Sequence, residues 1–569
     1  MPAVVVAILV FVAFFLGYRF YSKYLAEKVY ALDKAKPTPA HEFEDGVDYV
    51  PTNKHVLFGH HFTSVAGAAP IVGPAIAVFW GWVPALLWVV LGTIFAAGVH
   101  DFGSLVVSVR NRAQNIGTLT TRIINARSRT LFLLIIFFLL TLVNAVFAVV
   151  IANLFIQFPG SVIPIVFEIP LAIAIGQYIY RRRTSALIPS LIGVALLYLS
   201  ILVGQAFPVD LSPVASAIGW EPRMLWIVLL FAYTFVASRI PVWVLLQPRD
   251  YINSHQLFIA LGVIFLGVLI GFDRIVAPAV ASVPEGSPHW FPFLFITIAC
   301  GAISGFHALV SSGTTSKQLD NEEDARYVGY FGAVGEGSLA LGSILAATAG
   351  LGAYAVWQEK YADFNTASSG AVGNFVEGVG HFANNLGVPL GIATIFAAVV
   401  VVSFAATTMD TGVRLQRYII QEIGEIVRFR LLARNLTLAA ALAVLLPLGL
   451  ALAPDLAFGR LWRLFGTTNQ LTAGLVLAVV AVWVFTRNRN PLAQIVPLVF
   501  LLTMTTWALV IQLGDFFRAG DWLLVAIDSV IFVLALWLIV EAIGAFMRAR
   551  GERGTQTDEA SGNQGGEPQ

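Results

Sequence analysis

Apolar runs long enough to cross a bilayer recur along almost the whole chain, separated by short segments that hold most of its charge. The clearest, Leu131 to Val150 (LFLLIIFFLLTLVNAVFAVV), has no charged residue. A hydrocarbon core of roughly 30 Å needs about 20 such residues in a helix, and without water a helix is what satisfies the backbone of such a run. The pattern predicts spans over 2–20, 62–80, 83–105, 131–155, 161–180, 186–206, 223–246 and 256–275. Further spans are predicted over 291–311, 329–355, 385–408, 431–453, 461–486, 493–513 and 522–546. This is an all-α polytopic membrane protein with about fifteen transmembrane helices.

Lys and Arg placement tests that list independently, because cytoplasmic loops concentrate them. Alternate loops (21–57, 106–130, 181–183, 247–255, 312–328, 409–430, 487–490 and the segment after 547) hold 25 of the 34 basic residues. The opposite loops hold only Lys360, Arg460 and Arg518. A miscounted early span would scramble this alternation. It places the N-terminus outside and the C-terminus in the cytoplasm.

Composition agrees. Apolar residues make up 58% of the chain and charged ones 12%, with mean hydropathy +0.81, whereas soluble domains carry about a quarter charged residues. Lipid is the solvent that suits such a chain, and nothing in its charge points to nucleic acid. Cys300 is the one cysteine; it lies in an apolar run, reads as a small hydrophobe and excludes a disulfide framework or multi-cysteine metal site. Residues Pro2–Gly17 lack a basic leader and a small-residue cleavage site, so they read as a retained first helix. The chain divides into an extra helix and linker (1–57), a core (58–410), peripheral helices (411–547) and a polar tail (548–569) expected to be disordered. The outer loop 356–384 carries Trp357, Tyr361, Phe364 and Phe375 and reads as a small cap.

Two spans are interrupted. The second contains Gly67, Pro70, Gly73 and Pro74, and the seventh runs into Arg239, Pro241 and Pro248. Proline removes a backbone donor, and a break in lipid survives only where it lines a cavity or is buried in protein. The two lie five spans apart. Spans 2–6 and 7–11 therefore read as two five-helix units of opposite orientation, the 5+5 inverted repeat of secondary transporters.

At these positions the chain resembles a known family. Phe58-Gly-His-His-Phe-Thr-Ser-Val-Ala-Gly-Ala-Ala-Pro-Ile-Val-Gly-Pro74 and Cys300-Gly-Ala-Ile-Ser-Gly-Phe-His-Ala-Leu-Val-Ser-Ser-Gly-Thr-Thr315 resemble signatures of the carbon starvation protein A family. Pro241–Tyr251, Thr408–Arg414 and Leu461–Leu471 match it too. The resemblance implies the LeuT-like core of the amino acid–polyamine–cation superfamily. It also implies a bacterial inner-membrane transporter induced when carbon is scarce, carrying pyruvate with protons or taking up peptides. The chain departs from the family in being shorter than its largest members and in placing His100 before Asp101.

Candidate residues follow. A carboxylate can be held by free amides at a half-helix N-terminus, which Gly67, Ala68, Ala69 and Gly73 supply; Ser238, Arg239 and Gln247 are the facing candidates, with Arg239 able to pair it bidentately. Proton coupling needs a group that changes charge. His60, His61 and His307 titrate nearest physiological pH, and Asp101, Glu168 and Glu336 are carboxyls in or beside apolar runs. Asp250 and Asp410 adjoin basic segments and read as locks through Arg249 and Arg414. A sodium alternative would use the hydroxyls of Ser311, Ser312 and Thr314. No HExxH, paired CxxC or P-loop occurs, so neither a metal, a catalytic residue nor a cofactor beyond the coupling ion is expected, and the chain does not read as an enzyme.

Three functions fit this reading: a proton-coupled importer of pyruvate or a similar small carboxylate, a peptide importer, and a non-transporting membrane nutrient sensor. A sensor would carry an output domain, and no cytoplasmic segment is large enough to form one.

Overall fold

Each apolar run folds as a helix because its backbone bonds then close within the run. The computed structural model describes residues 1–562 except Val47, Arg183 and 454–456, with side chains to residue 551. In chain order the principal helices are α1 (Ala3–Tyr30), α2 (Lys54–Val65), α3 (Ala69–Ala77), α4 (Trp82–Val109), α5 (Arg127–Gln157) and α6 (Pro159–Arg182). Next come α7 (Leu187–Ala206), α8 (Pro222–Ala237), α9 (Leu246–Gly271), α10 (Trp290–Thr297), α11 (Phe306–Gly313) and α12 (Arg326–Ala346). The last are α13 (Phe364–Asn385), α14 (Leu390–Ile426), α15 (Leu436–Ala451), α16 (Phe458–Thr486), α17 (Leu492–Ala519) and α18 (Trp522–Gly562). Asn53, Asp363 and Asn435 cap α2, α13 and α15 by accepting first-turn amides.

Among the described residues, eleven helices are long and apolar enough to span a membrane, and the bent pair α2–α3 makes up to twelve. The other three of the fifteen expected spans fall below that length as single helices. Two of those runs, α8 and α15, are shorter apolar helices of 16 residues, and the run at 291–311 is two eight-residue helices. The first span reaches Tyr30 through two π-helical turns, Gly17–Tyr21 and Leu25–Tyr30. The polar tail begins as helix, α18 continuing to Gly562 because its hydrogen bonds are local; residues 563–569 lie outside the described residues.

The first interruption falls at Ala66–Ala68, ahead of Pro70. Proline fits the first turn of α3, where its amide would have no acceptor. The second does not fall in the seventh span. There the chain between Ala237 and Leu246 simply links two helices, while the other broken helix is α10–α11, open from Ile298 to Gly305. That segment (IACGAISG) has two glycines and no proline, so the proline signal passes over it.

Burial sorts the helices. In α16, 94% of the most apolar window is buried, and in α12 89%, against 33% in α18. Helix α16, within the segment 411–547 expected to be peripheral, is buried and packs on α4, α5 and α17. Helices α5 and α14 pack along each other. The loop at 356–384 forms a short helix, Tyr354–Lys360, and α13, lying over α3, α9 and α14. Tyr361 Oη donates to the Ala75 carbonyl at 2.8 Å, and the Phe364 ring sits 5.5 Å from Phe79 and Trp80.

Candidate functional site

Both broken helices open at the centre of the molecule. The pair α2–α3 bends by 53°, and its α3 half lies tight against the other break. A Cβ on Gly73 would run into the Thr297 carbonyl, and one on Gly301 would lie 3.0 Å from Pro74. Between the openings is a cavity of about 20 Å³, lined by Ser64, Gly67, Cys300, Ser304 and Thr408 and the rings of Phe147, Phe306 and Phe465. That is room for about one water. No charged side chain lines it, so an anion entering here would meet backbone. The first-turn amides of α3, at Ala68 and Ala69, have no acceptor within their helix.

Helix α16 satisfies the groups that the second break frees. Trp462 Nε1 donates to Thr297 O at 3.0 Å and Gln470 Nε2 to Phe295 O at 2.6 Å. Asn469 Oδ1 accepts from Ser304 Oγ at 3.2 Å and from the Phe306 amide at 3.4 Å, while its Nδ2 donates to Cys300 Sγ at 3.1 Å.

Beside the breaks lies a fully buried network. His307, on α11, places Nδ1 2.8 Å from Asp101 Oδ2 of α4. Glu336 Oε1 of α12 lies 3.2 Å from Nε2 of the same ring, at ion-pair distance but outside hydrogen-bond geometry. His100 Nδ1 is 2.7 Å from Asp101 Oδ1. His61, on α2, bonds Thr315 Oγ1 at 2.9 Å and is within electrostatic reach of Asp101 and His307. The Nε2 atoms of His61 and His100 are buried without a hydrogen-bond partner. One imidazolium between two carboxylates carries a net negative charge that a further proton cancels, so this network can change charge by one inside the protein.

A second buried network uses a permanent cation. Arg249 of α9 donates to Glu168 Oε1 of α6 at 3.1 Å and to Asp410 Oδ2 of α14 at 2.8 Å. Tyr233 Oη donates to the same Asp410 oxygen at 2.8 Å, and Ser403 Oγ to Glu168 Oε2 at 2.8 Å. Four helices are tied by one guanidinium.

The structure therefore unites His61, Asp101, His307 and Glu336 and puts Gly67, Ala68, Ala69 and Gly73 at the first break. His60 is half-buried six residues before it. Glu168 belongs to the arginine network instead. The candidates from the seventh span do not reach the cavity. Arg239 is exposed over the Phe235 ring, Gln247 is exposed, and Ser238 bonds the Phe235 carbonyl. Arg414 donates to the carbonyls of Ala237 and Ile240 rather than closing an aspartate lock. Ser312 and Thr314 bond carbonyls of their own helix, and Ser311 Oγ is buried without a partner. Sequence reasoning missed Ser304, Thr408, Asn469 and Gln470, all polar residues in apolar runs and inside the family-like strings.

The family model described as carbon starvation protein CstA matches residues 2–360 and 353–508. The chain belongs to the carbon starvation protein CstA family. It is 32% identical over 592 residues to the pyruvate/proton symporter BtsT of Escherichia coli, covering 88% of this chain and 80% of that one. It is also 32% identical over 571 residues to the peptide transporter CstA of Escherichia coli, covering 87% and 79%. Over 550 residues it is 32% identical to the peptide transporter CstA of Bacillus subtilis, covering 89% and 90%. Among solved structures, MhsT in complex with L-phenylalanine overlaps 86% of this chain and 99% of its own with a TM-score of 0.42 and 11% identity. The matched regions of this CstA-family chain contain both broken helices and both buried networks.

Proposed function

We propose that the chain is a secondary active transporter of a bacterial inner membrane, importing pyruvate or a similar small carboxylate together with protons. The observation that carries this reading is His307: it stands on a broken helix beside the cavity and is held between Asp101 and Glu336. A proton reaching that network alters the charge next to the segment that must move. The solute carboxylate is taken by the amides at the start of α3. In this reading the narrow cavity widens as the protein opens to either side in turn.

The core behaves in this reading as two units of inverted orientation, 54–271 and 290–486. Each runs broken helix, long helix, long helix, 16-residue helix, long helix, the first being interrupted by the hairpin α6–α7 and the second by α13. Matching contacts support the pairing: α3 packs on α12 as α11 packs on α4, and α5 packs on α16 as α14 packs on α9. The loops rich in Lys and Arg support an N-terminus outside and a C-terminus in the cytoplasm.

Peptide import is the second reading, favoured by relatives of equal identity that are named peptide transporters. Uptake of labelled pyruvate into proteoliposomes, driven separately by inward proton and sodium gradients, tests both. Proton-driven accumulation that a protonophore collapses is expected. Liposomes that take up a dipeptide but no pyruvate would overturn the pyruvate assignment.

A further inference from the structure

On the lipid-facing surface, α1, α4, α10 and α17 enclose an apolar groove of about 610 Å³, within the roughly 300–1,000 Å³ range of small-ligand sites. An aromatic trio forms part of its lining. Trp88, Phe295 and Phe500 lie with ring centroids 5.1 Å apart pairwise. Tyr21 packs against Phe95 at 5.0 Å along one wall, and Leu492 and Val496 of α17 form the other. The side chains that line it are carbon apart from the hydroxyls of Tyr21 and Tyr24 and the indole nitrogen of Trp88.

Basic residues adjoin both walls in sequence. Lys28 follows Tyr24 by four residues on α1, and Arg489, three residues before Leu492, donates from Nη1 to the Lys28 carbonyl at 2.8 Å. Arg487 stands two residues further back, over the Trp483 ring. The nearest carboxylates are engaged elsewhere: Glu27 pairs with Lys23 and Glu322 with Arg110. Among the described residues, Lys28, Arg487 and Arg489 have no carboxylate partner.

A chain-length apolar slot whose walls adjoin unpaired cations, on the side carrying most of the basic loops, complements one kind of molecule. We infer that the groove binds an anionic phospholipid, with one acyl chain against Phe295 and Phe500 and the phosphate on Lys28 and Arg489. Basic pockets between membrane helices hold anionic head groups in this way, and acyl burial supplies the rest. The site has a consequence for the core, because Phe295 belongs to α10 and its carbonyl is held by Gln470. A bound chain therefore braces one half of a broken helix from outside.

The test is lipid retention. The full chain is extracted from vesicles of equal phosphatidylglycerol and phosphatidylethanolamine, and the lipid that stays bound is identified by native mass spectrometry. Selective retention of phosphatidylglycerol is expected. It should fall on the order of 30-fold in a K28A/R489A double variant, the effect of two basic residues near an anionic head group. A second variant, Val496→Trp, fills the slot without touching the cations and should release both lipids. Equal retention of the two lipids, or a preference that survives both variants, would overturn the assignment, as would a dimer carrying no lipid, which would make the groove an interface between copies. Retention is read without transport, so it stands or fails separately from the uptake experiment.

Discussion

The two buried networks are alike in burial and share no helix, yet they are built from different chemistry. Arg249 keeps its charge under any physiological condition, and Glu168 and Asp410 close on it from α6 and α14. Such a network holds helices in fixed register. In the other, the cation is an imidazole, whose charge, unlike that of a guanidinium, depends on a bound proton, and two of its members, His61 and His307, ride on the helices that break. The difference teaches which network can report a proton and which can only hold against motion. Buried charge by itself distinguishes neither.

The largest effect that would sharpen this contrast is on stability. Arg249→Ala leaves two carboxylates buried without their cation and should destabilise the protein by about 3–5 kcal/mol, read as a fall in thermal midpoint in detergent. Combining Arg249→Met with Glu168→Gln and Asp410→Asn should restore most of it, because the uncompensated charge is gone. A single alanine variant as stable as the parent would show that Arg249 ties nothing.

His307→Gln should act the other way round. The amide keeps hydrogen bonds to Asp101, so the protein should unfold close to the parent's temperature, while gradient-driven accumulation falls to background and solute exchange without a gradient persists. Glu336→Gln is a milder version. The parent's uptake should fall as external pH rises, since the proton is a co-substrate, and this variant should flatten that dependence. Retained accumulation in His307→Gln would remove the imidazole from coupling.

Steric effects come next in size. A Cβ at Gly67 would lie 2.6 Å from Thr408 Oγ1, so Gly67→Ala should lower uptake tenfold or more, from about 1–3 kcal/mol of overpacking. Adding Thr408→Ala removes the clashing hydroxyl and should recover part of the loss. No recovery would place the closed contact between α14 and the first break outside the transport cycle.

The helices were legible because each apolar run carries its own hydrogen bonds. The first break was legible because Pro70 and Gly67 act locally. The second was not, since Ile298–Gly305 is held open by Trp462, Asn469 and Gln470, more than 150 positions later, and such support leaves no local mark. His307, Asp101 and Glu336 could be picked singly as ionisable residues in apolar runs, but their convergence depends on how α4, α11 and α12 pack. The arginines show the same limit. Arg239 and Arg249 flank the same proline-rich link, and nothing nearby says which is buried, because the partners of Arg249 lie 81 and 161 positions away.

That pair provides the smallest expected effect and the cleanest break of the comparison. An arginine in an apolar run is a functional candidate by default, and read from sequence Arg239 is the one that meets the solute. In the fold it projects from the end of α8 over Phe235, exposed, without a carboxylate partner among the described residues. Removing an exposed charge that holds no partner changes stability by about 0.5 kcal/mol or less. Arg239→Ala should therefore take up solute at the parent's rate and with the parent's pH dependence, in the same liposomes where His307→Gln fails. Loss of uptake with normal folding would mean that Arg239 turns inward in another state of the cycle. The cavity would then acquire the charged ligand for a carboxylate that its present lining lacks, and the amides of α3 would no longer suffice as its binding site.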